Sequence, residues 1–468
     1  MSPPLERRAS LSLRLLPAVC ALLWCVQIYA FHWGVITPDT VSQYGQALSG
    51  RYQDWHPPIM AWIWRQLNQL WPGSAPLLIL NCALYWLGFG LLVHVAARRN
   101  MRRAAVAFLL IGAFPIAFGQ MGSILKDSLL TGCLIASVGI AALPLSTRRP
   151  VPWPLKALGA TALIVAAASR FNGVFAAAPL LLLLFRPAEW EGRWQRAAAG
   201  TLVAALLLAG SSFIINRLLL QPERTHPIIS LIDFDLAGIS LGSGRNRYPE
   251  YARPEPALLK ACYSPAMFNP RYDPACDLIE DRLDSEIEAH DGKRVEIWIA
   301  GILHEPLAYT VHRLKHFNAN QRWLAATVPD DAVYSMSEPN HLGLRFVPNG
   351  LTDLVCGAAQ VIARSPLGRP ATWLGVAAAM LIAGANPGAR AIATAVAASS
   401  LLYGFAYLGV SVAPDLRYNL WTMAGAMLAV PLGFANWSTG DRSARRLVWA
   451  FLPLALILLG ELAALARG

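Results

Sequence analysis

Charge is what this chain has least of. Only 14% of its 468 residues are charged, against about 25% in soluble domains, while 55% are hydrophobic and mean hydropathy is +0.42. That scarcity excludes an ordinary soluble protein and points to an integral membrane protein with several spans. Cysteine is sparse as well: the seven residues show none of the spacings of a zinc site. Internal repeats and low-complexity segments are absent. Acids are the rarer sign, 28 against 39 bases, for a net charge of +11.

The excess of bases is uneven. Residues 221–350 hold 18 acids and 13 bases, which leaves 10 acids and 26 bases for the rest of the chain. Many of those bases fall in four short loops, Arg98–Arg103, Arg148–Lys156, Arg186–Arg196 and Arg442–Arg446. Bases gathered in short loops between apolar runs follow the positive-inside rule. They argue for membrane topology and against a nucleic-acid partner, which would need them clustered on one soluble face.

Apolar runs near the roughly 20-residue length of a spanning helix recur along most of the chain. The first, about 11–35, has the basic flank of a signal sequence (Arg7, Arg8, Arg14). It is longer than a signal h-region, so an uncleaved anchor is expected. Further spans are expected at about 75–97, 103–119, 127–146, 156–169, 173–185 and 197–219. After a polar stretch come 370–385, 391–411, 419–436 and 447–466, with 351–365 as a short membrane-surface helix. The expected fold is an α-helical polytopic membrane protein of about 11 transmembrane helices. Residues 1–220 form an N-terminal seven-helix module with a first outer loop at 36–74. Residues 221–350 form a small periplasmic soluble domain, and 351–468 the C-terminal transmembrane helices. Within the soluble domain Cys262 and Cys276 are either a disulfide of an oxidising compartment or two small free core residues.

The informative polar residues stand at span ends. The segment TPDTVSQYGQA (37–47), then DWHPP (54–58), follows the first span. Val41, Tyr44 and Leu48 have helical spacing and would form the apolar face of a surface helix. Asp39 either N-caps that helix or serves as a general base or metal ligand. His56 with Pro57 and Pro58 forms a rigid corner, either a plain turn or a donor to phosphate or sugar oxygens. Lys126 and Asp127 open the 127–146 span, where an acid complements the helix dipole. Arg170 and Arg417 lie at outward ends, either snorkelling or forking onto phosphate oxygens. Of the ten acids outside 221–350, Asp39, Asp54, Asp127 and Asp415 all map to the same rim as Lys126, Arg170 and Arg417. Acids and bases collected on one rim form a candidate site.

On these residues the chain resembles the GT-C superfamily of membrane glycosyltransferases that use polyprenyl-phosphate sugars. The likeness is to the branch of protein O-mannosyltransferases and lipid A aminoarabinose transferases. That branch carries an acid in the first outer loop, a Tyr and Ala on the next helix, then a Lys-Pro-Pro corner and an aromatic run. Asp39, Tyr44, Ala47, Pro57, Pro58 and Trp62 match it here, as do Asp127 and the pair Arg417 and Tyr418. His56 replaces the usual Lys, and Thr40 follows Asp39 where many members have Glu. The resemblance covers the N-terminal module and hardly touches the soluble domain.

The resemblance implies an inverting glycosyltransferase that moves a sugar from a polyprenyl-phosphate carrier to an envelope glycan, lipid or protein on the periplasmic face. Asp39 and Asp127 would be the catalytic pair. Lys126, Arg170, Arg417 and His56 would bind the donor phosphate, and Tyr44, Asp54, Trp55 and Tyr418 would position the acceptor. A divalent metal stays open, with Asp39 and Asp127 as its ligands if one is used. The expected place is a bacterial inner membrane. A polysaccharide polymerase or ligase, a transporter of lipid-linked glycans and a non-catalytic scaffold are the alternatives. A transporter would set its charges near mid-membrane, whereas these gather at one rim.

Overall fold

The computed structural model describes residues 11–186, 193–266, 274–337, 339–383, 390–434 and 444–467. Among them every regular element is helical, and bridges pair only Val35 with Ser123 and Gln53 with Glu223. In chain order the first helices are α1 (Leu11–Ala30), α2 (Pro38–Ser49), α3 (Ile59–Leu70), α4 (Ala75–Arg98), α5 (Arg102–Gly112) and α6 (Pro115–Gln120). Next come α7 (Lys126–Ala142), α8 (Pro144–Thr147), α9 (Trp153–Ser169), α10 (Gly173–Phe185) and α11 (Trp194–Phe213), the last prolonged by wider turns over Ile214–Leu219. The polar region holds α12 (Ile228–Ser243), α13 (Pro256–Cys262), α14 (Pro274–Ala289), α15 (Arg294–His304) and α16 (Pro306–Gln321). The chain ends with α17 (Gly350–Ala363), α18 (Pro370–Ala383), α19 (Arg390–Val410), α20 (Leu420–Phe434) and α21 (Ala444–Leu465).

Five stretches among the described residues are helical, long and apolar enough to cross a membrane: Ala75–Arg98, Lys126–Thr147, Trp194–Leu219, Ala391–Val410 and Val448–Leu465. With their backbone bonds closed internally, they mark a helical membrane-embedded protein. Five shorter apolar helices accompany them, among them Trp153–Ser169 and Gly173–Phe185. The run 103–119, expected as one helix, is two. Pro115 lacks an N–H and drives Phe114 out of the helical region (φ −59°, ψ 120°), so α5 ends before it and α6 starts anew. The helix of the first apolar run stops at Ala30, short of residue 35. Arg7, Arg8 and Arg442 lie outside the described residues.

Helix α7 is apolar nearly all round and buried along its length, as a central helix should be. It packs against α4, α9, α10, α19 and α20. Peripheral helices show the converse: α11 exposes Leu202, Leu206 and Phe213, and α21 exposes Val448, Leu459 and Leu462. A second, smaller core gathers Ile232, Phe234, Tyr248, Leu283 and Ile287 around α12 and α14. Cys262 and Cys276 are joined there by a disulfide, with Cα atoms 5.4 Å apart.

Candidate functional site

Two loops hook together to build the site. Val35 N–H donates to the Gly122 carbonyl (3.0 Å), and Ile124 N–H to the Val35 carbonyl (3.2 Å). The approach needs glycine on both sides. Gly34 has φ +92°, where any Cβ is strained, and a Cβ on Gly122 would meet the Phe31 ring at 2.2 Å. Thr40 adds a hydroxyl bond to the Ile124 carbonyl (2.9 Å). The first turn of α2 is thereby set beside the first turn of α7.

Asp39 does not cap α2. The cap is Thr37, in a reciprocal box: Thr40 N–H donates to Thr37 Oγ1 (3.3 Å) and Thr37 N–H to Thr40 Oγ1 (3.0 Å), with Pro38 opening the helix. The Asp39 carboxylate is left for other partners. Arg417 Nη1 lies 3.1 Å from Oδ2, and His56 Nε2 3.5 Å from Oδ1. Behind the imidazole, Lys126 Nζ is 2.6 Å from His56 Nδ1. An ammonium only donates, so Nδ1 accepts and the ring proton sits on Nε2, facing Asp39. Burial opposes ionisation of Asp39. The His56 hydrogen bond and the charges of Arg417 and Lys126 nevertheless hold its carboxyl well below the usual range. Burial, reinforced by the Lys126 charge, lowers the pKa of His56 against the pull of Asp39.

A second pair sits on α7. Asp127 is not the cap of that helix, whose N-cap is Leu125 with no side-chain bond. Its Oδ1 pairs with Arg170, the residue that ends α9, while Oδ2 is buried with no hydrogen-bond partner among the described residues. Tyr418 joins the two halves. Its ring lies 4.6 Å from the Arg170 guanidinium and 5.4 Å from that of Arg417, within cation–π range. Arg417 also pairs with Asp415 at 3.1 Å. Three carboxylates (Asp39, Asp127, Asp415) and three basic side chains (Lys126, Arg170, Arg417) therefore meet around His56 and Tyr418.

Other expected site residues bond elsewhere. Tyr44 packs α2 on α3: its ring centroid is 4.7 Å from that of Trp64, and its hydroxyl donates to Asn68 Oδ1 (3.1 Å). Both oxygens of Asp54 are engaged, Oδ2 by Arg217 (2.6 Å) and Oδ1 by the amide (2.6 Å) and hydroxyl (2.8 Å) of Thr225. Against the effect of burial, those bonds keep the pKa of Asp54 below its ordinary value. Trp55 is exposed.

The sequence reading overlooked Tyr334, whose ring lies 5.9 Å from the Arg417 guanidinium, and Tyr407, which stacks on Tyr418 with ring centroids 5.8 Å apart. Tyr334 carried no signal. Tyr407 carried a weak one, since Tyr403 precedes it by one helical turn and the two hydroxyls bond at 2.8 Å.

Among the described residues no three His, Cys, Asp or Glu side chains form a metal-ligand group. Asp39 and Asp127 each face a guanidinium already, so this donor set suits internal ion pairing better than a metal shared between them. Comparison with protein-family models, with curated proteins and with solved structures yields no match.

Proposed function

We propose that this chain is a glycosyltransferase of the inner membrane of a bacterium, taking a sugar from a polyprenyl-phosphate carrier and placing it on an envelope glycan, lipid or protein with inversion. In this reading eleven helices span the bilayer, seven of them in residues 1–220, and the Asp39 rim and the 221–350 domain face the periplasm. One observation carries the reading. Asp39 is held between His56 and Arg417 at the base of α2, with Lys126 behind the imidazole and the Asp127–Arg170 pair one helix start away.

The chemistry asks for such a grouping. As the acceptor oxygen bonds to the anomeric carbon, the bond from that carbon to the phosphate oxygen breaks, and polyprenyl phosphate leaves as an anion. Positive charge stabilises that departure, and Arg417, Lys126 and Arg170 are the cations at hand. The acceptor proton passes to Asp39. A donor phosphate competes with Asp39 for Arg417, so donor binding weakens the restraint on the carboxylate and raises its basicity when it is needed. Asp127 Oδ2, buried with no hydrogen-bond partner among the described residues, has the capacity to accept from a substrate hydroxyl. The apolar flanks of the helices below the rim would take the lipid tail.

The test uses membranes containing the wild-type chain or Asp39→Asn, a panel of labelled polyprenyl-phosphate sugars and extracted envelope acceptors. The expected outcome is transfer by wild type from one donor, reduced at least about 100-fold in the variant at equal amounts of folded protein. Equal rates would remove Asp39 from the mechanism. No transfer from any donor by folded wild type would overturn the reading in favour of a polymerase or transporter.

A further inference from the structure

Six large apolar side chains of the 221–350 region are left uncovered by the described residues and recur as a stripe on each of two helices. Val295, Ile299 and Leu303 recur every four residues on α15, and Leu307, Val311 and Leu314 every three or four on α16, each 41–77% exposed. The opposite faces are occupied. Trp298 Nε1 donates to Asp235 of α12 (2.7 Å), Gly301 lies against Leu236, and His312 and Arg313 both pair with Asp235. A folded domain in water rarely leaves so long an apolar ridge open.

The end of the ridge indicates what covers it. Phe317, one turn beyond Leu314, stacks on Phe405 of α19 with ring centroids 5.8 Å apart. Phe405 and Leu402 are themselves exposed, on a helix long and apolar enough to cross a membrane. Phe405 lies five residues before the helix end at Val410, about 7.5 Å along the axis. Arg313 donates to the Ser411 carbonyl (2.7 Å) and Asn320 to the Ala413 carbonyl (3.3 Å), which lays α16 along that end. The ridge thus continues the exposed apolar side of α19, a helix long and apolar enough to cross a membrane. Lys315 stands exposed at its edge, where a basic side chain meets lipid headgroups.

We propose that α15 and α16, both packed on α12, are interfacial helices whose six-residue stripe is sunk in the acyl chains of the leaflet at the Val410 end of α19. The occupant is the bilayer itself. The inference goes beyond the glycosyltransferase reading and stands whether or not sugar is transferred. For the test, the full-length chain is placed in nanodiscs of phosphatidylethanolamine and phosphatidylglycerol. It carries Cys25→Ser, which removes the exposed free cysteine, and a fluorophore on Leu303→Cys, Leu307→Cys or Val311→Cys. Lys260→Cys, on the exposed surface of α13, is the control. Nitroxide-bearing lipid is expected to quench the three stripe positions several-fold more than the control, and aqueous iodide the control several-fold more than the stripe. Equal iodide quenching at all four positions would place the stripe in water and overturn the proposal. Protection of the stripe from both quenchers would overturn it in favour of a protein partner or a second copy.

Discussion

His56 stands between a group that can only donate and a group that can only accept. With Lys126 donating to Nδ1, its single ring proton points to Asp39. The pKa of the ring is lowered, first by burial and then by the Lys126 charge, so it is neutral above the ordinary value of about 6.5. As pH falls through the lowered folded-state value, Nδ1 gains a proton that opposes the ammonium, and the Lys126–His56 bond breaks. The unfolded chain takes up that proton at higher pH than the folded one, so stability also declines as pH drops below about 6.5. Asp39 stays ionised throughout, its carboxyl being held well below the usual range. Transfer is therefore expected to fall along one acid limb that His56→Gln flattens, since an amide can accept from Lys126 and donate to Asp39 without titrating. A pH–rate profile of both proteins checks it, and an unchanged limb in His56→Gln would assign the titration to another group. The rim residues were legible because an apolar chain carries few charges and each needs a reason. Their pairings were not: Asp39 meets Arg417 across most of the chain, and no local pattern encodes that.

Most apolar runs were legible as helices for a related reason, because length and polarity limit what a run can form, but the 103–119 run is two helices and α12–α16 were not anticipated. Irregular segments were not either. Residues 322–349 form no helix among those described, yet they tie both sides of the site. Leu416 N–H donates to Asp331 Oδ2 (2.9 Å), while Asp331 Oδ1 pairs with Arg322. Gln120 Nε2 donates to the Ala332 carbonyl (3.0 Å), and Ile36 N–H to Ser337 Oγ (2.8 Å). Such backbone-directed bonds leave no periodicity to read. Leu416 is buried and precedes Arg417, so its amide bond to Asp331 sets where the guanidinium lies. Asp331→Ala strands that amide, at a cost of about 1–3 kcal/mol, and is expected to raise the donor KM as well as lower Tm. Asp331→Asn keeps an acceptor oxygen for the amide and should retain most of the donor affinity. Donor KM and Tm of the two variants separate the cases. Equal impairment would place the effect in the Arg322 ion pair instead.

At the scale of the whole molecule, the main core and the smaller core around α12 and α14 are also joined through the loop between α2 and α3. Asp54 N–H donates to the Glu223 carbonyl (3.1 Å) and Glu223 N–H to the Tyr52 carbonyl (2.8 Å), a short parallel bridge. The Asp54 carboxylate closes it on Arg217 and Thr225. This clip fixes the path by which the chain leaves the wide turns after α11 and enters the second core. The sequence placed Asp54 at the rim but gave no sign of this bond set, since both partners lie more than 160 positions away. With both oxygens engaged, Asp54 has an architectural task, and its loss should be felt in folding before chemistry. Asp54→Ala leaves the Thr225 amide and the Arg217 guanidinium without their acceptor, an expected loss of about 1–3 kcal/mol. Transfer per folded molecule should stay at the wild-type level. Thermal unfolding and the rate normalised to folded protein are the two measurements. A lower Tm with an unchanged normalised rate fits the clip. An unchanged Tm with a lost rate would move Asp54 into the proposed site beside Asp39.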